Sequence, residues 1–320
     1  MKTLNEQRKR EIISRFHEGK VLVVGDVMID EFLWGKVSRI SREAPIPVVE
    51  VVKESFMLGG AANTANNIGT LGGNVLLSGV IGDDLHGRIL CKKLKEKGLD
   101  TQGLMILDEY STTTKTRIIA QQQQLARIDK EKKLEITGSV RESISAYCQK
   151  HRSDIEVIVI GDHGNGVITP QLFRTIIEMG KRIIVDPGRR DFSLYNGASI
   201  ITPNRQETEA FVGMKVRERN EVEDAGRQIL SEIVEEAVLI TLGEDGMCLL
   251  EKTGEIVHIP TIAQEVYDVC GAGDTVVATL ALALSCGATL QEAASLANLA
   301  AGIVVAKFGT ATVSREELSK

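Results

Sequence analysis

Val21-Leu22-Val23-Val24 is a short apolar run closed by Gly25 and Asp26, and the same pattern recurs along the chain. Val157-Ile158-Val159-Ile160 ends in Gly161-Asp162, and Ile183-Ile184-Val185 ends in Asp186-Pro187. Ile200-Ile201 leads to Thr202-Pro203-Asn204, and Val238-Leu239-Ile240 leads to Thr241-Leu242-Gly243. Uninterrupted apolar strands are covered on both faces, which implies a parallel sheet. Helical spacing lies between them, as in 170–180 and 207–211. Strand and helix alternating in this way predict an α/β fold with three layers, helix on sheet on helix, around a mostly parallel sheet. Ligands of such sheets bind beyond the carboxyl ends of the strands. Asp26, Asp162, Asp186, Asn204 and Thr241 stand at those ends, so a shared cleft is expected there.

Two segments break the alternation. Residues 32–57 hold two β-like runs around Ser38-Arg39-Ile40-Ser41-Arg42-Glu43-Ala44-Pro45, and 112–129 alternates in polarity. Both are expected to form a small β-lid outside the main sheet. Residues 1–20 are predicted to form a short amphipathic helix with Ile12, Ile13 and Phe16 on its apolar face. With no linker-like stretch and no long repeat, residues 1–320 are expected to form one domain.

Composition narrows the function. An apolar fraction of 43% supports a large core, while a net charge of −6 and 4% aromatics argue against nucleic acid or anionic membranes as partners. No run is long and apolar enough to span a bilayer, and the N-terminus lacks a secretory pattern. The five cysteines are scattered without a C-x-x-C pair, which favours a reduced, cytoplasmic protein without structural zinc. Five histidines without paired spacing argue against a transition-metal site, and His163 reads as a hydrogen-bonded loop residue, against the alternative of a metal or phosphate ligand.

Four motifs carry candidate chemistry. Gly271-Ala272-Gly273-Asp274 precedes an apolar stretch, 275–285. Small residues let backbone N–H groups approach an anion, and the helix that follows adds unpaired donors and a positive dipole end. Asp274 at that helix start reads either as a simple cap or as a base beside a bound phosphoryl group. Gly59-Gly60 precedes a second helix that carries Asn63, whose amide suits sugar hydroxyls. Asn204 and Glu207 share a helix face and suit either a cap or a hydrated Mg²⁺. Thr241-Leu242-Gly243-Glu244-Asp245-Gly246 is a strand leading into a glycine turn.

The glycine-rich helix start (59–82) and Gly-Ala-Gly-Asp resemble, in type and spacing, the two signatures of the ribokinase/PfkB carbohydrate kinases, and the likeness runs over 21–313. Gly25-Asp26-Val27-Met28-Ile29-Asp30, 38–49, Thr114-Lys115-Thr116-Arg117, 123–129 and Gln264-Glu265-Val266-Tyr267-Asp268 are most similar to kinases of a heptose 7-phosphate on the route to ADP-heptose. The resemblance implies a ribokinase-like fold and ATP-dependent phosphorylation of the anomeric hydroxyl. It implies Asp274 as base, kept ionised by the helix dipole, with Gly271, Ala272 and Gly273 supplying backbone donors. Expected sugar contacts are Asp26, Asp30, Gly59, Gly60, Asn63 and Asp162. Arg39, Lys115, Arg117 and Arg127 are the expected phosphate clamp, against the alternative of an edge strand protected by charge. Asn204, Thr241, Gly243, Gly246 and Asn298 would border ATP, with Asn204 and Glu207 at Mg²⁺. Some members also take a monovalent cation, here near Asp268. A dimer joined through the lids is expected, as is a stand-alone kinase without a nucleotidyltransferase domain.

Departures from that pattern keep other readings open. His163 and Asn165 stand in a motif that usually reads Asp-Tyr-x-Lys-Gly, Gly188 follows Asp186-Pro187 in place of Lys, and Cys270 replaces Thr. Arg189 and Arg190 are candidate substitutes for a missing lysine. The alternatives are a PfkB kinase of another sugar, sugar phosphate or nucleoside, and a non-catalytic sensor. A dinucleotide-binding oxidoreductase is disfavoured, because Gly25-Asp26-Val27 lacks the three-glycine turn.

Overall fold

The computed structural model describes residues 4–320 except 122, 134, 135, 137 and 264, so Gln122 and Gln264 of the motifs above lie outside the described residues. In chain order the strands are β1 (Lys20–Gly25), β2 (Val27–Ile40), β3 (Pro47–Gly60), β4 (Asn74–Gly82), β5 (Leu104–Leu107), β6 (Thr113–Ala120) and β7 (Gln123–Lys130). They continue with β8 (Val157–Asp162), β9 (Arg182–Pro187), β10 (Ala198–Ile201), β11 (Val234–Thr241), β12 (Met247–Glu251) and β13 (Ile256–Ile259). The α-helices are α1 (Glu6–Ser14), α2 (Ala61–Thr70), α3 (Leu85–Glu96), α4 (Gly138–Lys150) and α5 (Pro170–Ile177). After them come α6 (Arg205–Val212), α7 (Arg219–Glu232), α8 (Ala272–Ser285), α9 (Leu290–Val304) and α10 (Arg315–Leu318).

The main sheet runs β13-β12-β11-β10-β9-β8-β1-β4-β5. Neighbours from β11 to β5 are parallel, and β12 and β13 close one edge antiparallel. The apolar run of β1 shows why both faces need cover. Val21 and Val23 enter one core with Ile12, Ile13, Phe16, Ile68, Leu280 and Leu296, while Leu22 and Val24 enter the other with Ile144, Leu172 and Ile229. Helices α1, α2, α8 and α9 therefore cover one face, and α4, α5 and α7 the other. Helix α8 is apolar almost all round, and every residue from Asp274 to Leu284 is buried. That burial fixes its first turn rigidly at the carboxyl ends of β1, β8 and β9.

The lid is a separate sheet in the order β3-β2-β6-β7. It extends beyond the expected 32–57: β2 begins at Val27, two residues after β1, and β3 runs through Gly60 into α2. Val27, Met28 and Ile29 are buried, so this end of the lid belongs to the body of the protein, and Asp30 and Gly59-Gly60 lie on lid strands at its root. The far end exposes Ile40, Ile46, Val51 and Val52. The expected N-terminal helix is α1, which ends before Phe16; that ring follows in a 3₁₀ turn and is fully buried. Among the described residues no helix is long and apolar enough to cross a membrane.

Candidate active site

Gly271 has φ +74° and caps α8, and a Cβ there would lie 2.7 Å from the Asn63 side-chain nitrogen. Gly273 faces the other way: nothing lies within 4 Å of where its Cβ would stand, so the first turn of α8 opens onto free space. That turn offers N–H groups without intrahelical acceptors. Gly271→Ala is expected to displace Asn63 and lower kcat at least tenfold with little change in ATP affinity, measured by steady-state kinetics and calorimetric titration. Unchanged kcat would show that the αL turn does not position the site.

Asp274 is the third residue of α8 and is 8% exposed. One oxygen accepts from Asn63 Nδ2 at 2.8 Å, and the other lies 3.5 Å from the Thr64 hydroxyl. Asn63 is itself held, since Asn67 Nδ2 donates to its Oδ1 at 3.3 Å and Thr275 donates to Asn67 Oδ1 at 3.0 Å. Because α2 packs under the start of α8, Asn63 is fully buried and orients Asp274. Burial pushes the Asp274 carboxyl up to about 6, ahead of the opposing influences of His163 and Asn63, so it remains mostly ionised at neutral pH. A base with that value in the free protein predicts that kcat/KM falls tenfold per pH unit below about 6 and is flat above it. A profile flat down to pH 4.5 would remove Asp274 from the rate equation.

Asp186, at the end of β9, faces Asp274, and burial together with the charges of Asp274, Glu207 and Asp162 holds its carboxyl well above the ordinary range. Among the described residues no hydrogen-bond donor or cation pairs with the Asp186 carboxylate. His163 lies beside both, with its Nε2 buried and without a partner. The sequence placed Asp186 and Asp274 in one expected cleft, and β9 and α8 bring the two together.

Two other strand-end acids, both expected sugar contacts, are engaged by groups of the protein itself. Asp26 is 2% exposed, and its oxygens accept backbone N–H groups of His163 (2.8 Å), Asn165 (3.0 Å) and Val167 (3.2 Å). Asp162 is fully buried, accepting from Arg189 Nε at 2.5 Å, from the Tyr195 hydroxyl at 2.9 Å and from the Gly164 N–H at 2.9 Å. Both carboxylates hold the 163–167 loop in shape. Arg189, bound to Asp162 and to the Ile168 carbonyl at 2.8 Å, is part of that clasp and does not replace a substrate lysine.

On the lid, Asp30 is buried and ion-paired with Arg117, whose guanidinium sits 5.3 Å from the Phe32 ring centre. Gly59 lies against this pair, since a Cβ there would stand 2.5 Å from Asp30 Oδ2, and Gly60 turns the chain into α2 with φ +53°. Lys115 pairs with Glu131 at 3.0 Å, and Arg127 on the edge strand makes a bidentate pair with Asp129 at 2.8 and 2.9 Å. Three of the four expected phosphate cations are thus neutralised within the lid, as an edge protected by charge would be. Arg39 is exposed at the far end of β2. An aromatic wall of Trp34, Phe308 and Tyr267 flanks Arg117 around a cavity of 350 Å³; of these rings only Tyr267 stood in a motif, and the wall was not anticipated.

Four of the five expected nucleotide residues share one cleft, and Asn204 does not line it. Thr241, Gly243, Gly246 and Asn298 line one cleft of 650 Å³ together with Ala272 and Gly273, and Val266, Val269 and Val305 add an apolar wall. Gly246 has φ +84°, and a Cβ there would meet the Ile259 carbonyl at 2.1 Å. Asn298 is oriented by donating to the Pro260 carbonyl at 2.9 Å. Asn204 and Glu207 form a capping box on α6: the Glu207 N–H donates to Asn204 Oδ1 at 2.9 Å, and the Asn204 N–H donates to Glu207 Oε2 at 2.8 Å. Burial pushes Glu207 up to about 7. Asp268 accepts the N–H groups of Cys270 (3.0 Å) and Gly309 (2.9 Å), so it ties together the segments around the glycine turn. That gives no support to a monovalent cation at Asp268. The half-buried Cys270 thiol is pushed up to about 11 by burial, which makes it a poor nucleophile.

The sequence model of the pfkB family of carbohydrate kinases matches residues 18–317. The bifunctional protein HldE of Citrifermentans bemidjiense is 44% identical over 317 residues, covering 97% of this chain and 65% of that protein. HldE of Helicobacter pylori is 46% identical over 305 residues, covering 94% of this chain and 65% of its own length. The chain therefore spans about two thirds of these relatives. Two solved structures share the fold. Arabidopsis thaliana ribokinase complexed with ribose and ATP has a TM-score of 0.76 at 19% identity, over 94% of this chain and 97% of its own. Escherichia coli phosphofructokinase-2 in complex with substrates and products has a TM-score of 0.77 at 18% identity, over 94% and 97%.

Proposed function

We propose that this chain, which belongs to the pfkB family of carbohydrate kinases, transfers a phosphoryl group from ATP to the anomeric hydroxyl of D-glycero-D-manno-heptose 7-phosphate, on the route to ADP-heptose. The observation that carries the transfer reaction is the position of Asp274, buried at the first turn of α8 where the 650 Å³ cleft meets the root of the lid. The heptose substrate rests on the motif resemblance and on 44–46% identity to HldE proteins.

In this reading Thr241, Gly243, Gly246 and Asn298 hold the nucleotide with its γ-phosphate at the Gly271-Ala272-Gly273 turn. Backbone N–H groups there offset charge on the transferring group. The sugar lies between that turn and Asp30, Arg117, Gly59 and Gly60, and Asp274 takes the proton of the acceptor hydroxyl. The unpartnered Asp186 carboxylate and the remaining Glu207 oxygen fit a hard cation, so they would hold Mg²⁺, which supplies charge neutralisation at the phosphates. Arg39 stands far from the site, where a phosphate clamp requires the lid to close or a second copy to contribute. The exposed apolar tip of the lid suits a homodimer formed there.

The internal pairing of Lys115 and Arg127 favours, as the second reading, a sugar without a distal phosphate. ADP release with Mg-ATP separates the two. Selective turnover of heptose 7-phosphate over ribose, fructose and fructose 6-phosphate supports the first reading, and turnover of an unphosphorylated sugar alone replaces it with the second.

A further inference from the structure

We propose that His163, Asp186 and Asp274 together bind one divalent transition-metal ion of the Zn²⁺ or Co²⁺ class. One ligand atom from each lies within 4.8 Å of the other two. Donors around a tetrahedral ion with bonds of ~2.1 Å stand about 3.4 Å apart, so small side-chain rotations close the set. The His163 imidazole supports the assignment independently of the acids. Its Nε2 is buried without a partner, and leaving a buried polar nitrogen unsatisfied is unfavourable unless something occupies the space in front of it. The backbone behind it is fixed, since the His163 N–H donates to Asp26 and a Cβ on Gly188 would lie 2.8 Å from His163 Cα. The Asp186 carboxylate likewise has no donor among the described residues.

An imidazole nitrogen in the set favours Zn²⁺, Co²⁺ or Ni²⁺ over Mg²⁺, which prefers oxygen alone. The absence of paired histidine spacing gave no expectation of such a site, because its ligands come from the ends of β8 and β9 and from α8. Occupancy would engage the Asp274 carboxylate. On the kinase reading above, on which this consequence rests, Zn²⁺ would then inhibit transfer by engaging the base and by taking the Asp186 carboxylate from Mg²⁺, so raising Mg²⁺ would shift the inhibition to higher Zn²⁺.

The test titrates Co²⁺ into the metal-free protein, follows its visible d–d absorption, and displaces it with Zn²⁺. The other place with mixed donors is His258, whose Nε2 lies 3.0 Å from Glu223 and 3.6 Å from Cys248 Sγ, so His258→Gln is the control. The expected result is one equivalent of Co²⁺ in the wild type and in His258→Gln. In both His163→Gln and Asp186→Asn binding should be weaker by roughly tenfold or more. Circular dichroism checks that each variant is folded, and the pair of variants guards against misfolding of either. No stoichiometric Co²⁺ in the wild type, or binding retained in His163→Gln and lost in His258→Gln, overturns the proposal. Tight Co²⁺ binding without inhibition of turnover would keep the metal site and overturn the role of Asp274 as base.

Discussion

Asp274→Asn is expected to lower kcat by about 10²–10⁴-fold, the range a positioned general base contributes, while ATP binding stays within a few-fold. Asn keeps the shape of Asp and still accepts from Asn63 Nδ2, so the loss reads the proton acceptor and not the scaffold. The same substitution is expected to stabilise the fold. The folded value of about 6 exceeds the unfolded value of 3.8, so the native state binds more protons than the unfolded state between those two pH values. Stability from this group is therefore greatest below pH 3.8, falls as pH rises towards 6, and is fully lost above it. Removing the charge at pH 7.5 should recover about 1–3 kcal/mol, seen as a higher Tm in scanning calorimetry. Activity within tenfold of wild type would place the base elsewhere, and a lower Tm would show that the charge is not held at a loss.

Arg117→Leu carries the largest expected change in stability. It leaves the Asp30 carboxylate buried at the root of the lid without its cation, and breaking such a pair destabilises by about 3–5 kcal/mol. Burial already pushes the Asp30 carboxyl upward with Arg117 present, so the lone acid would rise further and take up a proton. Urea unfolding should show the full loss in the single variant and partial recovery in the Arg117→Leu, Asp30→Asn double variant, giving a coupling energy from the cycle. A loss below 1 kcal/mol for the single variant would mean that solvent reaches Asp30. Because Gly59 packs against this pair, sugar affinity should fall along with stability.

What was legible in the chain followed from local pattern. The apolar runs fixed the parallel sheet because each strand end is a covalent neighbour of the residue it presents, and the glycine spacings at 59–60 and 271–273 marked their helix starts. Thr241, Gly243 and Gly246 reached one cleft for the same reason, since a strand end and the turn after it have one place to go, and Asn298 joins them from α9. What a side chain points at was not legible. Asp26 and Asp162 look like cleft acids in the sequence, yet the loop that follows Asp162 folds back and its N–H groups take oxygens of both. That Asn63 meets Asp274 was not legible either, because α8 has first to be laid across α2. Lys115 reads as a free cation because its acid, Glu131, follows the antiparallel partner strand, whereas Asp129, which holds Arg127, stands two residues along the same strand. His163 and Asp186 needed three separate elements to meet.

The most direct test of the account is the product of the reaction. Heptose 7-phosphate and Mg-ATP are incubated with the full chain, and the mixture is followed by ³¹P NMR with coupling to the sugar protons. The account predicts ADP in equal measure with a new sugar phosphate whose phosphorus couples to the anomeric proton, and neither product with Asp274→Asn. ADP without a new sugar phosphate, a phosphate on any other carbon, or undiminished product from Asp274→Asn would contradict it.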